Sequence, residues 1–128
     1  MKTNKYKTDI ETDTLSIQIL EDVQELFEDE SHWTQNVLSR DAENHETDPL
    51  AKDSTCWCLL GAVIKCSAEH YQPDRLIKIF VYRALEIKAK ELFNTGIVHR
   101  VNDDPTMALP AVRKLIRKTI QELEGEAA

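Results

Sequence analysis

All three cysteines of this 128-residue chain lie in one short stretch, STCWCLLGAVIKC, at residues 54–66. A cysteine at a helix N-terminus can act as a nucleophile, because the macrodipole and the free backbone amides stabilise its thiolate. Many cysteine hydrolases then place a histidine, and an Asn or Asp that orients it, later in the chain. The chain supplies this order of residues: Cys56 or Cys58, then His99, then Asn102 or Asp103. A cysteine-dependent hydrolase or transferase is therefore one candidate function.

The surroundings of the cysteines favour a structural role instead. No residue between Cys56 and Ile64 is charged, and free cysteine is among the residue types most often buried. Cysteine hydrolases also usually carry their histidine on a strand of a small sheet, and beyond one short β-branched stretch, residues 97–101, the sequence predicts no second strand of useful length. We therefore predict that the stretch is a buried central helix, opened by Ser54 or Thr55 as its cap, and that it holds no catalytic residue.

The same cysteines form a poor metal site. Cys56 and Cys58 are two positions apart, which on a helix places their side chains roughly 200° apart around the axis. A structural zinc site normally uses Cys-x2–4-Cys in a turn together with a second ligand pair. The histidines lie at no recognisable ligand spacing: His32, His45, His70 and His99. We predict neither a metal nor another cofactor.

Helical periodicity dominates the rest of the chain and predicts an all-α, single-domain bundle of four main helices. The predicted helices are residues 14–29, the cysteine helix, residues 73–94, and a last helix from Leu109 to Glu124 with Pro110 in its first turn. Leu76 and Ile87 are among the positions expected to face inward. The helical domain is thus residues 13–124, between a loosely held arm at residues 1–12 and a tail at residues 125–128.

The connections carry several local predictions. Between the first two helices, residues 31–53 show little periodicity. A short helical turn from Thr34 to Arg40 is expected to place Val37 and Leu38 inward beside Trp33. This leaves residues 41–49 as a polar loop, and loops of this length are often functional. Gly96 is expected to supply the left-handed residue that ends the third helix, and residues 97–101 are expected to be extended. Gly61, inside the cysteine helix, costs about 1 kcal/mol of helix propensity, which predicts that another backbone passes close to it.

Composition restricts the partners and the compartment. The net charge is −7 and 30% of residues are charged, so we expect a solvated surface without generic affinity for nucleic-acid phosphates. No apolar run approaches the roughly 20 residues of a membrane span, and the N-terminus lacks the apolar region of a secretory signal. Three crowded cysteines do not resemble a disulfide framework, which predicts free thiols and a cytoplasmic location.

Two charged helix faces are predicted to be solvated. The first helix has an acidic face that could dock on a basic protein groove: Glu21, Asp22, Glu25, Glu28, Asp29 and Glu30. The last helix has a basic stripe without interleaved aromatic residues: Arg113, Lys114, Arg117 and Lys118. Hydrophobic residues make up 41% of the chain, which leaves room for a homodimer interface.

Four short motifs carry a resemblance: Trp33-Thr34-Gln35, Arg40-Asp41, Trp57-Cys58-x-x-Gly61-Ala62 and Asn102-Asp103. From about Leu15 to Ile120 the chain resembles a family of small uncharacterised bacterial and phage proteins. Asn36 stands where that family tends to have Gly, and Val101 where it tends to have Trp. The resemblance implies a shared fold and brings no activity with it.

The motif positions lie beside predicted turns, and a bundle would gather them over the N-terminal end of the cysteine helix. The candidate ligand or partner contacts are Trp33, Gln35, Asp41, Asn102 and Asp103. Asn102 and Asp103 are expected either to cap helices and tie loops or to form a small anion or ligand pocket. We predict a non-enzymatic protein that binds another macromolecule, most naturally a protein, with phage-encoded members modulating a host protein.

Overall fold

The structure, a computed structural model, describes residues 10–70 and 75–127. Within these ranges it is mostly helical, with a small two-stranded antiparallel sheet. The helices are α1 (Ile10–Leu26), α2 (Leu59–His70), α3 (Arg75–Phe93), α4 (Val98–Asp103) and α5 (Ala108–Ala127), and the strands are β1 (Ser39–Asp41) and β2 (Ser54–Trp57). A 3-10 turn, Glu30–His32, follows α1.

The helices pack their apolar stripes into one core, with α1 and α5 in the most extensive contact. Fully buried side chains come from α1, α2, α3, α4 and α5 or from the segment that follows α1, and they include Ile19, Leu20, Val23, Phe27, Leu59, Val63, Val81, Leu85, Val101, Leu115 and Ile116. The predicted helices at these positions are confirmed, with shifted ends. Periodicity succeeds here because each helix buries one continuous stripe.

The prediction of a purely helical fold is wrong at the start of the cysteine stretch. Residues 54–57 form β2, with Ser54 and Trp57 buried, and pair with residues 39–41. The buried Ser54 hydroxyl donates to the Asp48 carbonyl oxygen at 2.7 Å instead of capping a helix. Thr55 is β-branched and Trp57 is aromatic, and both residue types favour strands. A strand forms here because β1, which lies upstream in the chain, pairs with it.

The connecting segments also differ from the predictions. Residues 34–38 are not a helical turn but an irregular segment that leads into β1, and Leu38 is exposed. Residues 98–103 form α4 where an extended segment was predicted. Among the described residues Asn94, with φ 59°, is the left-handed residue after α3, and Gly96 has no positive φ. Asn tolerates this conformation because its short polar side chain can bond locally.

The first and last helices extend beyond their predicted bounds. Helix α1 extends back to Ile10, into the predicted arm, and α5 continues through Gly125 to Ala127. The predicted start of the third helix at Pro73 and the rest of the arm, residues 1–9, lie outside the described residues. None of the described helices is long and apolar enough to cross a membrane.

The prediction of a close backbone approach at Gly61 is confirmed. A Cβ atom at this position would overlap the carbonyl oxygen of Leu38 and lie 2.9 Å from its carbonyl carbon. The same Leu38 oxygen accepts a hydrogen bond from the Cys58 amide at 3.1 Å. Only glycine therefore lets α2 rest directly against the backbone of the Leu38 segment.

The expected inward orientation of two residues of α3 is wrong. Leu76 and Ile87 are 63% and 55% exposed, and Ile79 between them is 50% exposed. The buried stripe of α3 is narrower and runs along Ile77, Val81, Leu85 and Ala89. Apolar type alone does not distinguish the two sets, because a helix that is apolar on more than one face has no single inward direction.

Candidate functional site

Asn102 joins three separate segments of the chain. It lies near the C-terminal end of α4 and is only 1% exposed. Its Oδ1 accepts hydrogen bonds from Trp33 Nε1 at 2.8 Å and from the amide of Leu59, the first residue of α2, at 3.0 Å. Its Nδ2 donates to the Thr34 carbonyl oxygen at 3.1 Å and to Asp103 Oδ1 at 2.8 Å. These are the bonds that the capping interpretation predicts.

Gln35 and Arg40 complete a layer of hydrogen bonds around Asn102. Gln35 Nε2 donates to the carbonyl oxygen of Asn102 at 3.0 Å and to that of Asp104 at 3.5 Å. Arg40 Nε donates to Thr34 Oγ1 at 3.1 Å, and its second guanidinium nitrogen donates to the Gln35 carbonyl oxygen at 3.4 Å. We call this set the polar junction; its members are Trp33, Thr34, Gln35, Arg40, Asn102 and Asp103.

The backbone turns at Asn36, next to the polar junction. It has φ 73°, and its amide donates to Asp103 Oδ1 at 2.8 Å. A left-handed residue is required here, which Gly adopts without strain and Asn adopts more readily than other residues with a Cβ atom.

Asp41 lies outside the junction, at the end of β1. Its Oδ1 accepts hydrogen bonds from the amides of Glu43 and His45, both at 2.9 Å. The bond from the His45 amide is the largest cause that holds the pKa of Asp41 below its usual value. Asp41 therefore organises the turn after β1, and the structure does not bring it to Asn102.

The structure separates the three cysteines, all of which are free. Cys56 lies half-buried in β2, whereas Cys66 is buried in α2. Cys58 immediately precedes α2, and its Sγ accepts a hydrogen bond from the Gly61 amide at 3.3 Å, so the thiol caps the helix. Burial raises the pKa of Cys58 and raises that of Cys66 to about 12. At Cys58, burial thus outweighs the stabilisation that a helix N-terminus offers a thiolate.

A shallow depression of about 350 Å³ brings together the side chains of the hydrolase hypothesis. Cys58, His99 and Asp103 line it together with Leu38 and Leu60. The Asp103 Oδ1 atom already accepts hydrogen bonds from the Asn36 amide and from Asn102 Nδ2. Among the described residues, no hydrogen bond joins His99 to either of its proposed partners. The groups share a depression but do not form a proton relay.

The described residues contain no group of three or more His, Cys, Asp or Glu side chains that could hold a metal ion.

The basic stripe of α5 is partly used within the fold, because the Arg113 guanidinium donates to the carbonyl oxygens of Phe27 and Glu28 at 2.7 and 3.4 Å. These carbonyls directly follow α1, where a cation interacts favourably with the helix dipole.

The exposed apolar residues Leu76, Ile79 and Ile87 recur at helical spacing and form what we call the outer face of α3. Beside it lies a groove of about 240 Å³ between α1, α3 and α5. Its lining combines apolar side chains, among them Phe80, Ile87 and Leu123, with polar and charged ones, among them Arg83 and Glu122. Lys88 at the groove pairs with Glu122 at 2.8 Å and also with Glu91. Sequence reasoning missed this surface, since it assigned two of the three apolar residues to the core.

Comparison with known proteins identifies a family whose function is unknown. Residues 11–122 match a family of unknown function (DUF6197), and the chain belongs to that family. The prediction of an uncharacterised family is thereby confirmed. No curated protein and no solved structure shows significant similarity to this chain.

Proposed function

We propose that this member of the DUF6197 family is a non-enzymatic protein that binds another protein through the outer face of α3. The observation that carries the proposal is the exposure of three large aliphatic side chains, Leu76, Ile79 and Ile87, on one helix face beside a groove. Single exposed apolar residues are common, but three on one helix face, with charged side chains such as Arg83 among them, are a feature of interaction sites.

The hydrogen bonding of the polar junction supports this choice of surface. Both oxygen and nitrogen of the Asn102 side chain, and the Trp33 indole N–H, are already bonded within the chain. A ligand at the junction would have to displace bonds that hold α2 and α4 together, at a cost of about 1–3 kcal/mol for each buried group left unpaired. The outer face of α3 offers binding without such a loss.

The same proposal includes a cytoplasmic location and a role as a modulator of another protein. Three free thiols are compatible with a reducing compartment, which supports a cytoplasmic location. The resemblance to phage-encoded proteins supports a role as a modulator of a host protein. The net charge of −7 favours a protein partner over nucleic acid.

Site-specific photo-crosslinking tests the proposal. We would incorporate p-benzoyl-phenylalanine in place of Ile79 and, as a control, in place of Leu50, which is 57% exposed outside α3. The chain would be expressed in the cells that naturally contain it. We expect a discrete adduct from position 79 that disappears when Ile87→Lys is added, and none from position 50. Equal adducts from both positions would contradict the proposal.

A cysteine-dependent hydrolase or transferase is the second candidate, favoured by a depression that Cys58, His99 and Asp103 line together. The rate of iodoacetamide labelling across pH, mapped to each cysteine by mass spectrometry, separates the candidates. A raised pKa means that the Cys58 thiolate, and hence labelling, increases only at alkaline pH. Fast labelling of Cys58 below about pH 7 would instead favour the hydrolase, and loss of activity in His99→Ala would then be the next test.

A further inference from the structure

We infer that the occupant of the outer face of α3 is an amphipathic helix of another protein, with a carboxylate in its apolar stripe that pairs with Arg83. The inference rests on the proposed function and names the chemistry of its partner. It follows from the position of Arg83 among the exposed aliphatic side chains, from its lack of a partner among the described residues, and from the charge of α3.

Arg83 lies in the middle of the outer face of α3. It is exposed, and it lines the groove between α1, α3 and α5. It is four residues after Ile79 and four before Ile87, so it lies about 6 Å along the helix axis from each. Around the axis, the three aliphatic side chains span about 80°, and Arg83 lies near the centre of that arc. A partner that covers the aliphatic side chains must therefore cover Arg83 as well.

The fold leaves the charge of Arg83 uncompensated. Among the residues that the structure describes, none forms an ion pair or a hydrogen bond with its guanidinium. Lys88, at the same groove, is instead held by Glu91 and Glu122. Covering an unpaired guanidinium with purely apolar side chains removes its water and leaves a buried charge, which is unfavourable. A carboxylate opposite Arg83 supplies two parallel, charge-assisted hydrogen bonds, so the face selects a partner that carries one.

The charge of α3 also favours a carboxylate. The helix contains five basic and two acidic residues, whereas the chain as a whole has a net charge of −7. Lys90, two turns after Arg83, is exposed on the same face. The outer face of α3 is therefore a basic region of an acidic protein. Because the rest of the chain would repel a partner that is acidic throughout, the fit is to a helix whose carboxylates are confined to the docking stripe.

A helix suits the shape of this surface. Leu76 and Ile87 are about 16 Å apart along α3, which corresponds to about three turns of a partner helix laid beside it. The neighbouring groove of about 240 Å³ can receive side chains from such a helix. In recognition of this kind, residues at i, i+3 or i+4 and i+7 anchor the contact. Aliphatic anchors around an arginine fit the usual composition of an interface centre, where charged residues are few but arginine is enriched.

An anionic membrane surface is the main alternative occupant, because basic residues beside an apolar helix face also suit a bilayer interface. The positions of the acidic residues of α3 favour a protein instead. Glu86 and Glu91 are exposed and flank the outer face, one on each side. Both carboxylates would lie against anionic headgroups, and the net charge of −7 adds to that repulsion.

A displayed library of helices tests the inference. The probe is the surface helix of a designed helical bundle, with a leucine stripe in which each position is varied in turn among Leu, Gln, Glu and Lys. In selection on the full chain, we expect one stripe position to prefer Glu over Lys by at least about tenfold. Selection on Arg83→Glu should reverse that preference. Arg117→Glu, which changes an exposed arginine of α5, is the matched control and should keep it.

Further variants and a second probe complete this test. Arg83→Lys keeps the charge and should keep the preference for Glu, and circular dichroism checks that each variant is folded. The inference is overturned by the absence of binding clones, by the absence of a preference for Glu, or by a preference that persists in Arg83→Glu. Cosedimentation with phosphatidylserine vesicles tests the membrane, and vesicle binding that is lost in Arg83→Glu would also overturn the inference.

The photo-crosslinking experiment separates failure of the inference from failure of the proposed function. An adduct of position 79 with another protein should be lost in Arg83→Glu and should return when the partner's acidic residue is replaced by lysine. If that adduct is unchanged in Arg83→Glu, the inference is wrong and the proposed function stands. An adduct of two copies of this chain would overturn the inference, and absence of any adduct at position 79 overturns both.

Discussion

The polar junction and the outer face of α3 differ in how the fold uses their side chains. At the junction, the side chain of Asn102 makes four hydrogen bonds within the chain and the residue is almost fully buried. On the outer face of α3, three aliphatic side chains expose half or more of their surface. Residues that belong to the short sequence motifs thus hold the fold together, whereas the surface proposed to bind has no motif.

The difference has a physical cause. A buried amide must satisfy both its donors and its acceptor, and few residue types and orientations can do so. An apolar contact surface needs only area and shape, which many residue combinations supply. A short, specific motif is therefore evidence of a demanding local geometry and does not by itself indicate an active site.

The largest effect is expected from Asn102→Leu. The substitution leaves Trp33 Nε1, the Leu59 amide and the Thr34 carbonyl oxygen without their partner, and each buried group left unpaired costs about 1–3 kcal/mol, so we expect a loss of about 4 kcal/mol. Urea unfolding measures it, with Gln121→Leu, an exposed amide on α5, as a control. A loss no greater than that of the control would show that the hydrogen bonds of Asn102 do not stabilise the fold.

The next largest effect is expected from Gly61→Ala. The added Cβ overlaps the Leu38 carbonyl oxygen, so α2 must shift, at a cost of about 3 kcal/mol. The control is Gly125→Ala, also within a helix but with no atom within 4 Å of the added Cβ. That control should stabilise α5 by up to about 1 kcal/mol. Thermal unfolding should therefore shift in opposite directions for the two variants.

A smaller effect is expected at Asn36, which holds a left-handed conformation at φ 73°. Asn36→Ala should cost about 1 kcal/mol, because a Cβ atom without a compensating polar group is disfavoured there. Asn36→Gly should cost little or nothing, and both variants keep the amide that bonds to Asp103. Equal losses in the two variants, measured by urea unfolding, would show that the Asn36 side chain, not the backbone conformation, matters.

The smallest effect on stability is expected from Ile79→Lys in the monomer. The side chain is half exposed, so the free energy of unfolding at low protein concentration should change by no more than about 0.5 kcal/mol. Val81→Ala, two positions away and fully buried, should cost about 2 kcal/mol. Similar losses would mean that the outer face of α3 serves the core of the monomer and is not available to a partner.

Local patterning predicted the helices that bury a continuous stripe, and it predicted the close approach at Gly61 from the cost of glycine in a helix. It failed at residues 54–57 because a strand forms only when a partner strand is present, and β1 was not recognisable in three residues. It also predicted an extended segment at residues 97–101, whereas residues 98–103 are helical in the structure. For the candidate site, the sequence grouped Trp33, Gln35, Asn102 and Asp103, which the structure brings together, but it also included Asp41, which lies apart.

The sequence by itself determined the helical core, the free thiols and the presence of a demanding polar motif, because each depends on residue type and spacing along the chain. Only the tertiary structure decided that Asn102 caps α2, that burial raises the pKa of Cys58, and that Leu76 and Ile87 are exposed. Those outcomes depend on which segments meet. Hydrogen bonding, desolvation and exposure are properties of a residue's neighbours in space, and most of these neighbours are distant in the chain.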